Sequence, residues 1–124
     1  MRIFKTRWFH RWAKKEKITD ATLLEVVDEM EQGLIDADLG GHVFKKRVAI
    51  QGSGKSGGVR TLIAYQVNEK AFFVYAFAKN KQANISKKEL AALQTVASTF
   101  LAHDDEMLLH LMNIEEIVEV NNNE

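Results

Sequence analysis

Phosphate-binding chemistry is the first thing the residues of this chain offer. Between His42 and Lys88 there are ten Lys or Arg side chains and one acid, Glu69. Guanidinium groups take phosphate oxygens in pairs and ammonium groups take them as point charges, so a segment of this bias suits a polyanion. In Val43-Phe44-Lys45-Lys46-Arg47-Val48-Ala49-Ile50 a strand would alternate its side chains between two faces. Lys45 and Arg47 then stand side by side, while Phe44, Val48 and Ile50 share the other face with Lys46 between them. Arg60 follows a glycine-rich stretch that carries Lys55, and Lys79 ends an apolar run on the face of Phe73, Tyr75 and Phe77. An open sheet face edged by Lys45, Arg47, Lys55, Arg60 and Lys79 is expected to cradle phosphate. Tyr75 is expected to pack in the core rather than to stack on a base.

Those side chains need a scaffold, and the pattern supplies one. Ile3-Phe4 suits a brief opening strand, and Trp8, Phe9, Trp12 and Ala13 recur at helical spacing through about Glu16. Thr19 or Asp20 caps a second helix whose apolar stripe is Leu23, Val26/Val27, Met30 and Leu34, with Gly33 weakening its end. The period then changes. Val43–Ile50, Val59–Val67 and Ala71–Ala78 read as three consecutive antiparallel strands, joined by a glycine loop at Gly52–Gly58 and a hairpin at Asn68-Glu69-Lys70. Ser86-Lys87-Lys88-Glu89 is a capping box that opens a helix carrying Leu90, Leu93, Val96/Ala97 and Phe100/Leu101. Asp104-Asp105-Glu106 caps a further short helix, and Ile117 to Val120 closes as a strand. The expectation is an α+β fold: an N-terminal helix hairpin packed on a small antiparallel meander, followed by one or two C-terminal helices. It forms a single domain over 1–124, with 121–124 frayed.

Composition removes several classes of function. A length of 124 residues with 46% hydrophobic and 27% charged residues is an ordinary globular balance. Without cysteine there is no disulfide, thiolate metal site or cysteine nucleophile. No apolar run approaches the roughly 18 residues of a membrane span, and the N-terminus has no signal-peptide core, so a cytoplasmic protein is expected. The formal net charge of zero hides a strong asymmetry, −1 over residues 1–41, +9 over 42–88 and −8 over 89–124. The acidic end is expected to be a solvated helix face. Trp8 and Trp12 are expected in the core, and His103 and His110 as ordinary surface or core histidines.

One motif misleads. Ala49 to Ser56, with Gly52, Gly54, Lys55 and Ser56, satisfies the loose form of a nucleotide-binding P-loop. That device needs a helix to begin at its Lys-Ser and aim its amides at phosphate. Here Gly57-Gly58 and the strand-like Val59-Arg60-Thr61-Leu62-Ile63-Ala64-Tyr65 follow instead, so the motif is set aside.

Lys46-Arg47-Val48-Ala49, then Gly52-Ser53-Gly54-Lys55-Ser56-Gly57-Gly58-Val59-Arg60, then Phe77-Ala78-Lys79-Asn80, resembles the RelE/ParE toxin superfamily, and within it the phage-type RelE-like toxins of toxin–antitoxin modules. The resemblance covers about residues 3 to 103. It implies an mRNA endonuclease acting on the ribosome, using no metal and no cofactor, and neutralised by a small helix-turn-helix antitoxin. RNA cleavage of this kind needs a base for the 2′-hydroxyl, charge stabilisation of the phosphorane and an acid for the 5′-oxygen. The basic segment holds no carboxylate except Glu69 and no histidine except His42, and Lys79 to Ile85 contains neither histidine nor tyrosine. Lysine and arginine must therefore do the work. On this resemblance Arg47 and Arg60 clamp phosphate, Lys79 is the base or acid, Lys55 is a loop contact, and Lys45, Lys46 and Lys81 grip the backbone. Two alternatives stand beside it: a ParE-like inhibitor of DNA gyrase on the same fold, and a non-catalytic nucleic-acid-binding module.

Overall fold

The computed structural model describes residues 1–50, 54–79, 81–82 and 84–121, with the backbone alone at 50 and 54–57. Its elements are β1 (Arg2–Thr6), α1 (Arg7–Lys15), α2 (Asp20–Glu31), β2 (Ala37–Asp38), β3 (Val43–Ile50), β4 (Gly54–Gln66), β5 (Lys70–Ala78), α3 (Lys87–Leu101), α4 (Asp105–Asn113) and β6 (Ile117–Glu119).

Each helix starts where a short polar side chain can satisfy free amides. The Thr6, Thr19 and Asp104 side chains accept from the amides of Phe9, Thr22 and Met107. At α3 the capping box is complete: Glu89 donates its amide to Ser86 Oγ, and Ser86 donates its amide to the Glu89 carboxylate at 2.8 Å. α2 ends at Gly33, which adopts φ +87° while the Leu34 amide reaches back to the Glu29 carbonyl at 2.9 Å.

The expected meander, β3-β4-β5, is the centre of a larger six-stranded sheet in the order β2-β3-β4-β5-β1-β6. β1 lies parallel to β5, with Phe4 opposite Phe72, and β6 closes antiparallel on β1. Helices cover both sides. On one, Phe9 and Ala13 of α1 and Leu23, Val26, Val27 and Met30 of α2 pack on Val48, Val59, Ile63 and Phe73. On the other, Ala97 of α3 and Leu108 of α4 pack on Phe4, Val43, Leu62, Phe72 and Phe77. The open face expected from the sequence is thus replaced by a three-layer sandwich, because strands this apolar on both faces must bury both.

Two register shifts determine which side chains share a face of the sheet. β4 begins at Gly54, within the expected glycine loop, and a bulge lies between Val48 and Ile50 of β3. Gly58 permits it, since a Cβ there would sit 2.4 Å from the Val48 carbonyl oxygen. The rest of that expected loop, 51–53, lies outside the described residues, as do the Asn80 half of the Lys79-Asn80 pair and the expected fraying at 122–124. A second bulge, at Leu62/Ile63, breaks the alternation of β5. Phe73 therefore faces the α1–α2 side, while Tyr75 and Phe77 stay together on the α3–α4 side, so only Phe73 leaves the face expected of it.

The ends of the chain are tied together. The Arg2 guanidinium hydrogen-bonds both Glu119 carboxylate oxygens, at 3.0 and 3.1 Å, which raises its pKa further above the ordinary arginine value. Beneath α2, Lys5 and Asp20 form a buried ion pair at 2.7 Å, with side chains 7% and 10% exposed. Asp20 also lies in the first turn of α2, where the helix dipole favours a negative charge.

Candidate nucleic-acid interface

Strand register decides which cations meet. On the α3 side of the sheet, Lys45 lies opposite Leu62 and Arg47 opposite Arg60, and Arg60 in turn lies opposite Phe77. α3 closes the same side farther along the strands: Phe100 stacks on Phe72 at 4.9 Å and the Gln94 amide donates to the Leu39 carbonyl at 3.1 Å. Four residues separate Arg47 from Val43, which sits in the closed part, so the arginine row lies about 13 Å beyond it at about 3.3 Å per residue.

This row is costly for the fold. Like charges directly opposite on adjacent strands repel. Arg60 is only 9% exposed, and its Nη1 is buried with no hydrogen-bond partner among the described residues. A buried donor left unmade destabilises. Arg47 is better compensated, with Asp36 accepting from its amide at 2.6 Å and standing 3.5 Å from Nε. Its side chain is still 51% exposed. The arrangement places a guanidinium without a partner at Nη1 among the described residues beside a half-exposed one, a concentration of positive charge suited to anionic oxygens.

The remaining expected site residues divide. Lys45 is half-buried on the arginine side, and Lys79 and Lys81 are exposed in the turn after β5. Lys46 goes elsewhere. It is 8% exposed on the α2 side with its ammonium 2.9 Å from Glu29, a structural pair instead of a free backbone grip. The strand alternation that separates it from Lys45 and Arg47 is its physical cause. Lys55 lies within β4, and its side chain is outside the described residues; its place in a strand removes the helix start a P-loop needs. Lys70 begins β5 and donates to the His103 carbonyl at 2.6 Å. His42 and His103 mark the opposite ends of β3 and β5 from the arginine row. Among the described residues no three His, Asp or Glu side chains cluster as metal ligands would.

Sequence reasoning missed two contributors. Asp36 comes from the short segment before β2, and no local pattern marks it as the partner of Arg47. Core packing was expected of both tryptophans, and it holds only for Trp12, which is half-buried with its ring 5.4 Å from Phe9. Trp8 is 45% exposed, and its ring lies on Tyr75 at 4.9 Å. Beyond Thr6 the strand partner of β5 turns into α1, and the first turn of that helix takes the place of a strand beside Tyr75. Among the described residues no helix is long and apolar enough to cross a membrane.

The order of elements, a strand and helix pair ahead of a meander backed by C-terminal helices, agrees with the resemblance drawn from the basic motifs. Comparison with curated proteins gives no match. A family model described as the RelE toxin of the RelE/RelB toxin–antitoxin system matches residues 1–120. That match spans nearly the whole fold, and the chain belongs to the RelE toxin family, as a toxin of a toxin–antitoxin system.

Proposed function

We propose that this toxin is a ribosome-dependent mRNA endonuclease that stops translation in the cytoplasm and is held inactive by a small helix-turn-helix antitoxin. The observation that carries this reading is the Arg47–Arg60 row, with Arg60 Nη1 buried and unpartnered among the described residues. In the reaction the 2′-oxygen attacks the adjacent phosphorus as the bond to the 5′-oxygen breaks, giving a 2′,3′-cyclic phosphate and a 5′-hydroxyl. Arg47 and Arg60 balance the charge that builds on the phosphorane oxygens. Lys79, exposed at the mouth of the row, either takes the proton of the 2′-hydroxyl or gives one to the 5′-oxygen, and solvent water exchanges the other. Lys45 and Lys81 hold flanking phosphates, and Lys55 completes the set from β4. Lys46, committed to Glu29, has no part.

The test is primer-extension mapping of mRNA ends after induction. Codon-phased cuts are expected, absent in Arg60→Ala and Lys79→Ala. DNA breaks without such cuts would place the chain with the gyrase inhibitors and overturn the reading. A neighbouring reading frame encoding a small helix-turn-helix protein is expected as well.

A further inference from the structure

α1 reads Arg7-Trp8-Phe9-His10-Arg11-Trp12-Ala13-Lys14-Lys15, with four Lys or Arg and no acid. Phe9 and Ala13 point into the core, so positions 7, 8, 11 and 15 lie on the outward side, with Trp12 at its edge, packed on the core by one side of its ring. Their side chains line a shallow hollow of about 520 Å³. Arg7 is held there by Glu116 at 3.1 Å and by the carbonyls of Ile114 and Glu115. The rings form a row. Trp12 and Trp8 are nearly parallel at 6.2 Å and 8°, Trp8 lies against Tyr75 at 4.9 Å, and Tyr75 is 6.3 Å from Phe77. Phe77 is the residue opposite Arg60.

We propose that this side of α1 is a stacking site for unpaired RNA bases, leading from Trp12 over Trp8 and Tyr75 toward the arginine row. Aromatic faces set among cations are how single strands are held without regard to sequence. A protein-binding patch shares the tryptophan and arginine but is depleted in lysine, and in charge at its centre. The rings here are bordered by Arg7, Arg11 and Lys15 instead of by aliphatic side chains. Trp8 covers a ring that is itself only half-buried and keeps 45% of its own surface exposed. Duplex RNA keeps its bases stacked and offers the row nothing to hold. The inference goes beyond cleavage, because stacking needs no scission.

The test is fluorescence anisotropy of a labelled, uncleavable 2′-O-methyl single-stranded oligonucleotide titrated with the full chain. Trp8→Ala is expected to weaken binding roughly 10-fold or more, as loss of one stacked base does, while Trp8→Phe keeps most of it. Arg11→Gln with Lys15→Gln is expected to flatten the log–log salt dependence by about 1.4, the value for two single-strand phosphates. Circular dichroism should match the parent for all three, since these side chains lie outside the core. Unchanged affinity in Trp8→Ala overturns the proposal. Duplex binding with the same Trp8 dependence does so too. Trp8 effects that track self-association would make the surface a protein interface and also overturn it. Because the oligonucleotide cannot be cut, a failure of the nuclease reading leaves this result standing, and the reverse holds for mRNA mapping.

Discussion

Replacing Arg60 with methionine should stabilise the protein while abolishing its toxicity. Methionine keeps an unbranched stem in a site that is 9% exposed, so the packing of the arginine methylenes is largely retained. What is removed is a charged donor with Nη1 unpartnered among the described residues and a like charge facing Arg47 across β3 and β4. An unmade buried donor costs about 1–3 kcal/mol and an opposed like charge adds a few tenths. Some of this is returned as lost arginine contacts, leaving a net gain of about 1–2 kcal/mol. Unfolding entropy of about 2.1 cal/mol/K per residue over 124 residues converts 1 kcal/mol to about 4 °C. Thermal unfolding followed by circular dichroism should therefore show Tm higher by about 4–8 °C, and induced cells should grow. Arg47→Met is the control. Its side chain is 51% exposed and paired with Asp36, so Tm should move by less than about 2 °C while toxicity is still lost. A fall in Tm for Arg60→Met would mean that the guanidinium stabilises the fold, and the strain assigned to it is wrong. A rise in Tm with toxicity intact would remove Arg60 from the functional site.

Three other outcomes are expected from contacts in the fold. Lys5→Ala or Asp20→Ala alone should cost about 3–5 kcal/mol in chemical denaturation, by stranding the buried partner, whereas Lys5→Met with Asp20→Leu should lie within about 1–2 kcal/mol of the parent. Gly58→Ala should lose about 1–3 kcal/mol and loosen the β3–β4 bulge, since the added carbon meets the Val48 carbonyl; hydrogen exchange of the flanking amides reports it. Burial and, secondarily, the charge of Glu31 raise the Tyr65 pKa above its ordinary 10.0. Its neutral form is thus favoured by folding, so the stability it contributes is complete below pH 10 and is lost as pH rises through the raised value. In Tyr75→Phe, where Tyr65 is the remaining tyrosine, tyrosinate absorbance should titrate above 10 in the folded protein, and a midpoint at or below 10 would contradict its burial.

The features legible in the sequence were those set by neighbours along the chain. Ser86 and Glu89 announce α3 because a capping box is closed within four residues, and Thr19 does the same for α2. Alternation over Val43–Ile50 placed Lys45 and Arg47 together and set Lys46 apart. What was hidden depends on contacts between distant segments. Nothing near Ile3-Phe4 says that it will lie parallel to β5. The bulge at Leu62/Ile63 sets an extra residue of β5, Val74, against β4, and a strict period of two misassigned Phe73 for that reason. The pairing of Lys46 with Glu29 and of Arg47 with Asp36 required knowing that α2 and the segment before β2 flank β3. Trp8 was misread because aromatic residues at helical spacing normally mark a buried stripe, and here one of them lies beside the start of the helix, against a half-buried ring.

The position of β1 bears on how this toxin comes into being. The strand is made before both of its neighbours in the sheet, residues 70–73 on one side and 117–119 on the other. At about 5–20 residues per second, roughly 5–20 s pass between the synthesis of Arg2–Thr6 and that of its last partner. Until then Phe4, fully buried in the finished sheet, has no permanent cover, and α1 has no β6 segment to receive Arg7. Such long-range closure is slow by topology. A protein proposed to attack translating ribosomes is by this construction incomplete until residues 117–119 have been made, and the interval gives an antitoxin time to meet it as it folds.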